Sequence, residues 1–344
     1  MFKKYQIKKY NTPLLKNKQI LLANRPNGMV KDTDFTIVNL DISTIQEGQV
    51  LIKIQYISLD PAIRGWMNAG TTYMSGVSIG GVMRAFSAGQ IIESKHSEFQ
   101  VGQYVEGLLG ATSFAVSDGK GLKILDLSIG SIPQHLGILG MPGMTAYFGL
   151  LERGQPKAGE TVFVSGAAGV VGSTVGQIAK IKGCKVVGSA GGKEKCDYLL
   201  ANGFDIIVDY KSQNIDEELK KHCPEGISVY FDNVGGETLD AALLNLAKGA
   251  RVVICGAMSQ YNDMQNVSGP KNYMKLVVAR GEMKGIIVFD FLDRYAEAIA
   301  DILTWLSEGK ITSKEHIIEG IENFPMALRM LFDGKNFGKL LVKI

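Results

Sequence analysis

Three glycines spaced three apart carry the clearest chemistry in this sequence. They are Gly166, Gly169 and Gly172, within VFVSGAAGVVGSTVG (162–176). They follow an apolar β-type run and open a helix-type run, the context in which this spacing has physical meaning. The turn has to be tight, the backbone has to approach a pyrophosphate closely, and the helix has to pack on the strand. N–H groups and the positive dipole end of the helix then face the phosphates. About 20 residues further on, a fold that takes an unphosphorylated ribose carries Asp or Glu. Here the second strand runs into Ser189, Ala190, Gly191 and Gly192, followed by Lys193 and Lys195. A carboxylate would repel a 2′-phosphate and lysines attract one, so the pattern predicts NADP(H) rather than NAD.

Other chemistries lack their residues. The cysteines are Cys184, Cys196, Cys223 and Cys255, with no C-x-x-C pair, and only His96 and His135 precede residue 184. A zinc site takes three or four convergent ligands, so no metal is expected. Ser165 of SGAAG falls before the turn rather than on it, so the run does not form a nucleophile elbow. Alcohol oxidation would then lack a Lewis acid for the alkoxide. Hydride addition to a conjugated C=C is easier to support, because the charge lands on an enolate oxygen that a hydroxyl or N–H can stabilise.

The elements that must hold these residues change character along the chain. Of 344 residues 41 are Gly, well above the roughly 7% average, but with no Gly-X-Y period. That length suits two domains. Up to about residue 130 the runs are short and β-type: 50–58, 88–93, 101–109, and 112–125 with a D-G turn. They predict a small barrel or sandwich, with the Gly- and Ser-rich 71–83 as a mobile loop. Beyond 130, strands at 161–166, 185–190, 205–210, 228–234 and 250–256 alternate with helices at 170–183, 193–203 and 237–249. Such alternation predicts a parallel sheet covered on both faces. A further helix is expected at 291–309. The final strand, KLLVKI (339–344), has no adequate crossover before it and is expected to return to the first domain.

Charge narrows the partners. Lys and Arg total 37 against 34 for Asp and Glu, a net +3, which predicts no nucleic-acid or membrane-surface role. The basic start, MFKKYQIKKYNTPLLKNK, lacks the apolar run of a signal sequence, and no 18-residue apolar stretch occurs. With scattered thiols, the expectation is a cytoplasmic protein.

Several longer runs resemble one family. SLDPAIRGWM (58–67), GMPGMTAYFGLLE (140–152), AAGVVGSTVGQIAKIKGCKVVG (167–188), YFDNVGGE (230–237), ICGAMSQYN (254–262) and FGKLLVKI (337–344) are similar to the zinc-independent medium-chain dehydrogenases/reductases. The likeness is to their prostaglandin reductase / leukotriene B4 12-hydroxydehydrogenase type, with plant double-bond reductases and bacterial curcumin-reductase-like enzymes. It spans nearly the whole chain.

The resemblance implies an α/β chain: a Rossmann doubly wound parallel sheet (139–312) and a discontinuous β-rich GroES-like substrate domain (1–138 and 313–344). It implies NADPH-dependent, metal-free reduction of the C=C bond of α,β-unsaturated ketones and aldehydes, and a homodimer. A quinone reductase on the same scaffold, or a non-catalytic NADP(H) sensor, stay open as alternatives.

Carried over by residue, the resemblance assigns the pyrophosphate to Gly169, Val170, Val171 and Gly172, the 2′-phosphate to Lys195 and the adenine ribose to Tyr210. Asn233 would line the cleft. Cys255, Gly256, Ala257, Ser259 and Tyr261 would follow the nicotinamide side with Ile286, Ile287 and Val288, and Asn336 would reach the cofactor from the tail. Tyr261 is the candidate catalytic phenol, protonated near neutral pH with an ordinary pKa of about 10; the alternative is that it shapes the pocket while the cofactor's ribose hydroxyl and water supply the proton. Tyr56 is a candidate substrate-pocket residue, with core packing as its alternative, and Met67, Tyr73 and Met74 are looser candidates for an apolar pocket wall. The chain departs from its relatives at Gly81, Ala85, Ser87 and Ile286, which bears on substrate shape.

Overall fold

In the nucleotide-type half, side chains that alternate along each strand fill two separate cores. Val162 and Val164 join one cluster while Phe163 joins the other; Val229 and Phe231 likewise oppose Tyr230. Strands buried on both faces need continuous apolar runs, which is why these segments do not alternate with polar residues. The computed structural model describes residues 16–70, 74–264 and 266–344.

Six parallel strands form this sheet, in the order Ile206–Asp209, Lys185–Ala190, Thr161–Val164, Ile227–Asp232, Leu246–Ile254, Glu282–Gly285. The order reverses between Thr161–Val164 and Ile227–Asp232. That switch point leaves a crevice beyond the strands' carboxyl ends, the usual ligand position in open α/β sheets. Helix Val170–Ile181 starts there, directly after the glycine turn.

The first part of the chain builds the second sheet, of strands Val50–Ser58, Ser87–Ser94, Tyr104–Gly107, Phe114–Ser117 and Lys123–Ile124. The closing strand Lys339–Lys343 runs antiparallel to Val50–Ser58 and parallel to Glu315–Glu319. On its way it touches the other half: Gly338 N donates to Ala168 O at 2.9 Å, and Gly338 bridges Gly169. The chain terminus thus ties the glycine turn to the barrel-like sheet.

Some elements differ from the sequence reading. The helix expected to run to Gly249 stops at Leu244, because Asn245 turns its side chain onto Ala241 O (2.8 Å) and Asp216 Oδ1 (2.9 Å). Leu246 is then free to pair with Ile227. The helix expected from 291 begins as a 3-10 segment, Val288–Arg294, and becomes α-helical only over Tyr295–Ser307. His135 ends the short helix Ile132–His135, with Nε2 2.9 Å from Asp126 O. Strands Lys16–Leu22, Phe35–Asp41 and Glu282–Gly285 carry no sequence signal strong enough to have been expected. No described helix is long and apolar enough to cross a membrane.

Candidate active site

One cleft of about 290 Å³ runs from the glycine turn to the junction of the two halves. At its first end the backbone does the shaping. A Cβ on Gly172 would stand 2.5 Å from Gly166 O and 2.8 Å from Ala167 Cα. Only hydrogen fits there, so the first helical turn can close onto the strand with its N–H groups toward the cleft. Gly169, Val170, Val171 and Gly172 all line this end.

Lys195 and Tyr210 line it too. Lys195 Nζ donates to Gly334 O at 2.6 Å. Burial, then the charge of Lys211, holds its pKa below the usual lysine value. A half-buried cation beside a second cation is an arrangement that an anion would relieve. The nearest strand-end acid, Asp209, is occupied by backbone donors. Its carboxylate accepts from Gly192 N (3.0 Å) and Lys211 N (3.1 Å). Those backbone bonds, the one from Gly192 first, lower its pKa. The turn therefore uses its acid to fix backbone, leaving Lys195 to face the cleft.

Midway, Asn233 is held by Ser165. Asn233 N donates to Ser165 Oγ (2.9 Å) and Asn233 Nδ2 to Ser165 O (2.8 Å). Beneath them lies a group that sequence reasoning missed. Asp232 is 1% exposed, and its Oδ1 accepts from Ser165 Oγ, Tyr230 Oη, Val234 N and Gly235 N at 2.6–3.0 Å. Among the described residues its Oδ2 has no hydrogen-bond partner. Burial raises its pKa despite these donors. Three of the four donors lie within three residues of Asp232, but nothing local says that Ser165, 67 residues away, completes the set. Cys255 lines the cleft nearby, its thiol pushed up to about 12 by burial and then by Asp232.

The far end is apolar and assembled from both halves. Tyr261, Gly256, Met258, Ile286, Ile287 and Val288 face Leu59, Trp66 and Phe86 across it. Phe86 and Phe289 approach with ring centroids 6.4 Å apart. A Cβ on Gly256 would lie 3.0 Å from the Tyr261 hydroxyl, so the missing side chain lets the phenol lie over the backbone. The wall also contains a buried ion pair. Lys339, 1% exposed, donates from Nζ to Ser58 Oγ (2.5 Å), Leu59 O (3.4 Å) and Asp60 Oδ1 (2.6 Å). Ser58 Oγ donates to the other oxygen of Asp60. All three ammonium donors are used, so the pair fastens the wall without offering a free charge.

The cleft gathers Tyr261, Lys195, Tyr210, Asn233, Cys255, Gly256 and Asn336 with the glycine turn and residues 286–288. It leaves out Ala257 and Ser259, whose segment instead holds the turn: Ser259 Oγ donates to Val234 O at 2.6 Å. Met67 is not among the cleft residues. It ends a short helix and is fully buried in the core of the first half. Tyr56 packs beside Ala88, Leu125 and Leu341 instead. Tyr73 lies outside the described residues. Trp66, Phe86, Phe289, Asp60 and Lys339 were not expected; their positions depend on contacts between distant segments.

Comparison with known proteins agrees with this architecture. Residues 18–125 match a family described as N-terminal domain of oxidoreductase, and residues 170–305 one described as zinc-binding dehydrogenase. The chain is 41% identical over 339 residues to the NADPH-dependent curcumin reductase of Escherichia coli, covering 96% of this chain and 97% of that one. The chain belongs to the medium-chain dehydrogenase/reductase family. Within that family it is also 39% identical to the 2-alkenal reductase (NADP(+)-dependent) of Nicotiana tabacum, over 95% of this chain and 97% of the relative. CurA from Vibrio vulnificus, solved in complex with NADPH, superposes with a TM-score of 0.89 at 43% identity, covering 95% of this chain and 98% of CurA. Among the described residues, no group of three or more His, Cys, Asp or Glu side chains could hold a metal ion.

Proposed function

We propose that this protein is an NADPH-dependent reductase of the C=C bond in α,β-unsaturated ketones and aldehydes. The observation that carries the reading is the single cleft joining a glycine turn and a half-buried lysine to an apolar end that contains a phenol. The named activities of the curcumin and 2-alkenal reductases support it. So does the fit of the first end to a 2′-phosphorylated dinucleotide: a cradle that a Cβ would fill, a cation beside a second cation, and a strand-end acid bound to backbone.

Lys195 Nζ holds the 2′-phosphate, and the first N–H groups of helix Val170–Ile181 hold the pyrophosphate. Asn233, fixed by Ser165, lines the middle of the cofactor path. When bound, the nicotinamide supplies a hydride for the substrate's β-carbon. The apolar walls exclude water and raise the value of each remaining polar contact. The Tyr261 hydroxyl donates to the enone oxygen, stabilising the charge that develops there.

The two halves act as a substrate domain, 1–138 with 313–344, and an NADP-binding domain, 139–312. The pairing of Lys339–Lys343 with Val50–Ser58 supports that division. A homodimer fits the free edge at Glu282–Gly285, flanked by exposed Tyr273, Met274, Val277 and Val278. NADPH oxidation measured with a panel of 2-alkenals, enones and quinones tests the function. Turnover of alkenals and enones is expected; turnover of quinones alone, or of nothing, would overturn it.

A further inference from the structure

Tyr261 stands on an irregular segment, and that segment is tied down from both halves of the molecule. On its own side, Met258 N donates to Asn233 O (3.2 Å), Ser259 N to Val234 O (3.0 Å) and Ser259 Oγ to the same carbonyl. These bonds fix the residues before Tyr261. The residues after it are fixed from the first half. Arg64 Nε donates to Asn262 Oδ1 at 3.2 Å, Asn68 Nδ2 reaches Met264 Sδ at 3.2 Å, and Asn262 Nδ2 reaches Met29 Sδ at 3.5 Å.

Arg64 is the hub of this second tie. It is 3% exposed, and its other donors go to Asn68 Oδ1 (2.7 Å), Pro26 O (3.3 Å) and Gly28 O (3.2 Å). One planar guanidinium thus joins the helix Ala62–Trp66, the 26–28 loop and the turn after Tyr261. Lysine could not span these acceptors, because the fork geometry belongs to arginine. Burying such a cation costs free energy unless its donors are satisfied, so the contacts are a set rather than independent bonds.

We infer that Arg64, acting through Asn262, is a positioning residue for Tyr261: it sets the phenol over Gly256 only while the two halves are in contact. The inference rests on the proposed role of Tyr261 as donor to the substrate oxygen. Its physical content is that the hydroxyl is placed by an anchor on each side, one per half. Losing one anchor leaves the fold intact but lets the turn sample other positions. A displacement near 1 Å at a reacting centre can cost about 100-fold in rate.

Three measurements test it in the full-length protein. First, amide hydrogen exchange across 257–264 should accelerate roughly tenfold or more in Asn262→Ala, while strand Thr161–Val164 is unchanged. Unchanged exchange would overturn the positioning role whatever Tyr261 does. Second, with a 2-alkenal as substrate, Asn262→Ala should lower kcat by roughly 5- to 30-fold, with NADPH affinity within about threefold and conservative Asn262→Asp recovering most of the loss. A wild-type kcat would overturn the proposal. Third, the double variant Tyr261→Phe/Asn262→Ala should be no slower than Tyr261→Phe, since both act through one hydroxyl. Full additivity would show that Asn262 acts elsewhere and overturn it. A Tyr261→Phe variant with undiminished kcat would instead remove the donor role of Tyr261, leaving the exchange result to decide the positioning. Arg64→Lys should reproduce the Asn262→Ala exchange pattern, and Asn262 is half-buried and safer to truncate if that variant does not fold.

Discussion

The glycine-turn end of the cleft and its aromatic end are made of different materials. The first is mostly backbone from one stretch, 166–210, shaped by the absence of side chains at Gly172 and by an acid, Asp209, spent on the turn. The second is side chains from segments far apart in sequence, held by buried charges: Lys339 with Asp60, and Arg64 with Asn262. Backbone cradles form from local contacts and need little outside help. A wall built across two halves exists only when the halves meet, and it concentrates its dependence in a few polar ties.

Breaking the ion pair inside the first half's share of that wall should give the largest effect. Lys339→Met leaves the buried Asp60 carboxylate without its counter-charge and should destabilise the protein by about 3–5 kcal/mol, read from the urea midpoint. Adding Asp60→Asn should return much of that loss. A wild-type midpoint for Lys339→Met would mean that the wall does not depend on its ion pair. At the other end the effect should be smaller and confined to one ligand. Lys195→Ala should weaken NADPH binding by roughly 10- to 100-fold, the worth of a charge-assisted bond, and leave NADH within about twofold. Equal losses for both would erase the distinction between the two ends. The smallest effect is an expected absence of reaction. With its thiol pushed up to about 12 by burial and then by Asp232, Cys255 stays protonated at pH 8. Mass spectrometry should find no 2-alkenal adduct there during turnover at that pH, and rapid alkylation would contradict a thiol held neutral by burial.

Legibility in the sequence follows the same division. The sheet strands were readable because buried parallel strands need unbroken apolar runs, and Lys185–Ala190 lies where its run ends. Lys195 and the glycines were readable because their spacing acts within one strand–helix unit. Their place in the chain beside SLDP offers Tyr56 and Met67 to the pocket, with core packing as the alternative for Tyr56; Tyr56 packs beside Leu341 and Met67 in the first half's core. A run of residues says which segment reaches a site, not which side chain of that segment turns inward. Trp66, one position before Met67, is the one that lines the cleft.

By itself the sequence determined the doubly wound sheet, the glycine turn at the start of its helix and the absence of a carboxylate at the end of the second strand, and longer runs carried the resemblance to the family. The sheet, the turn and the missing acid are written in contacts between residues close in the chain, where periodicity and spacing carry the physics. Only the tertiary structure decided that Asp232 gathers four donors, that Lys339 closes on Asp60, and that Arg64 reaches Asn262. Of the Asp232 donors Ser165 lies 67 residues away, and the other two pairs lie 279 and 198 residues apart. Ser165 meets Asp232 through neighbouring strands of one sheet and Lys339 meets Asp60 through paired strands of the other, whereas Arg64 meets Asn262 only where the two halves pack; no local pattern records any of the three.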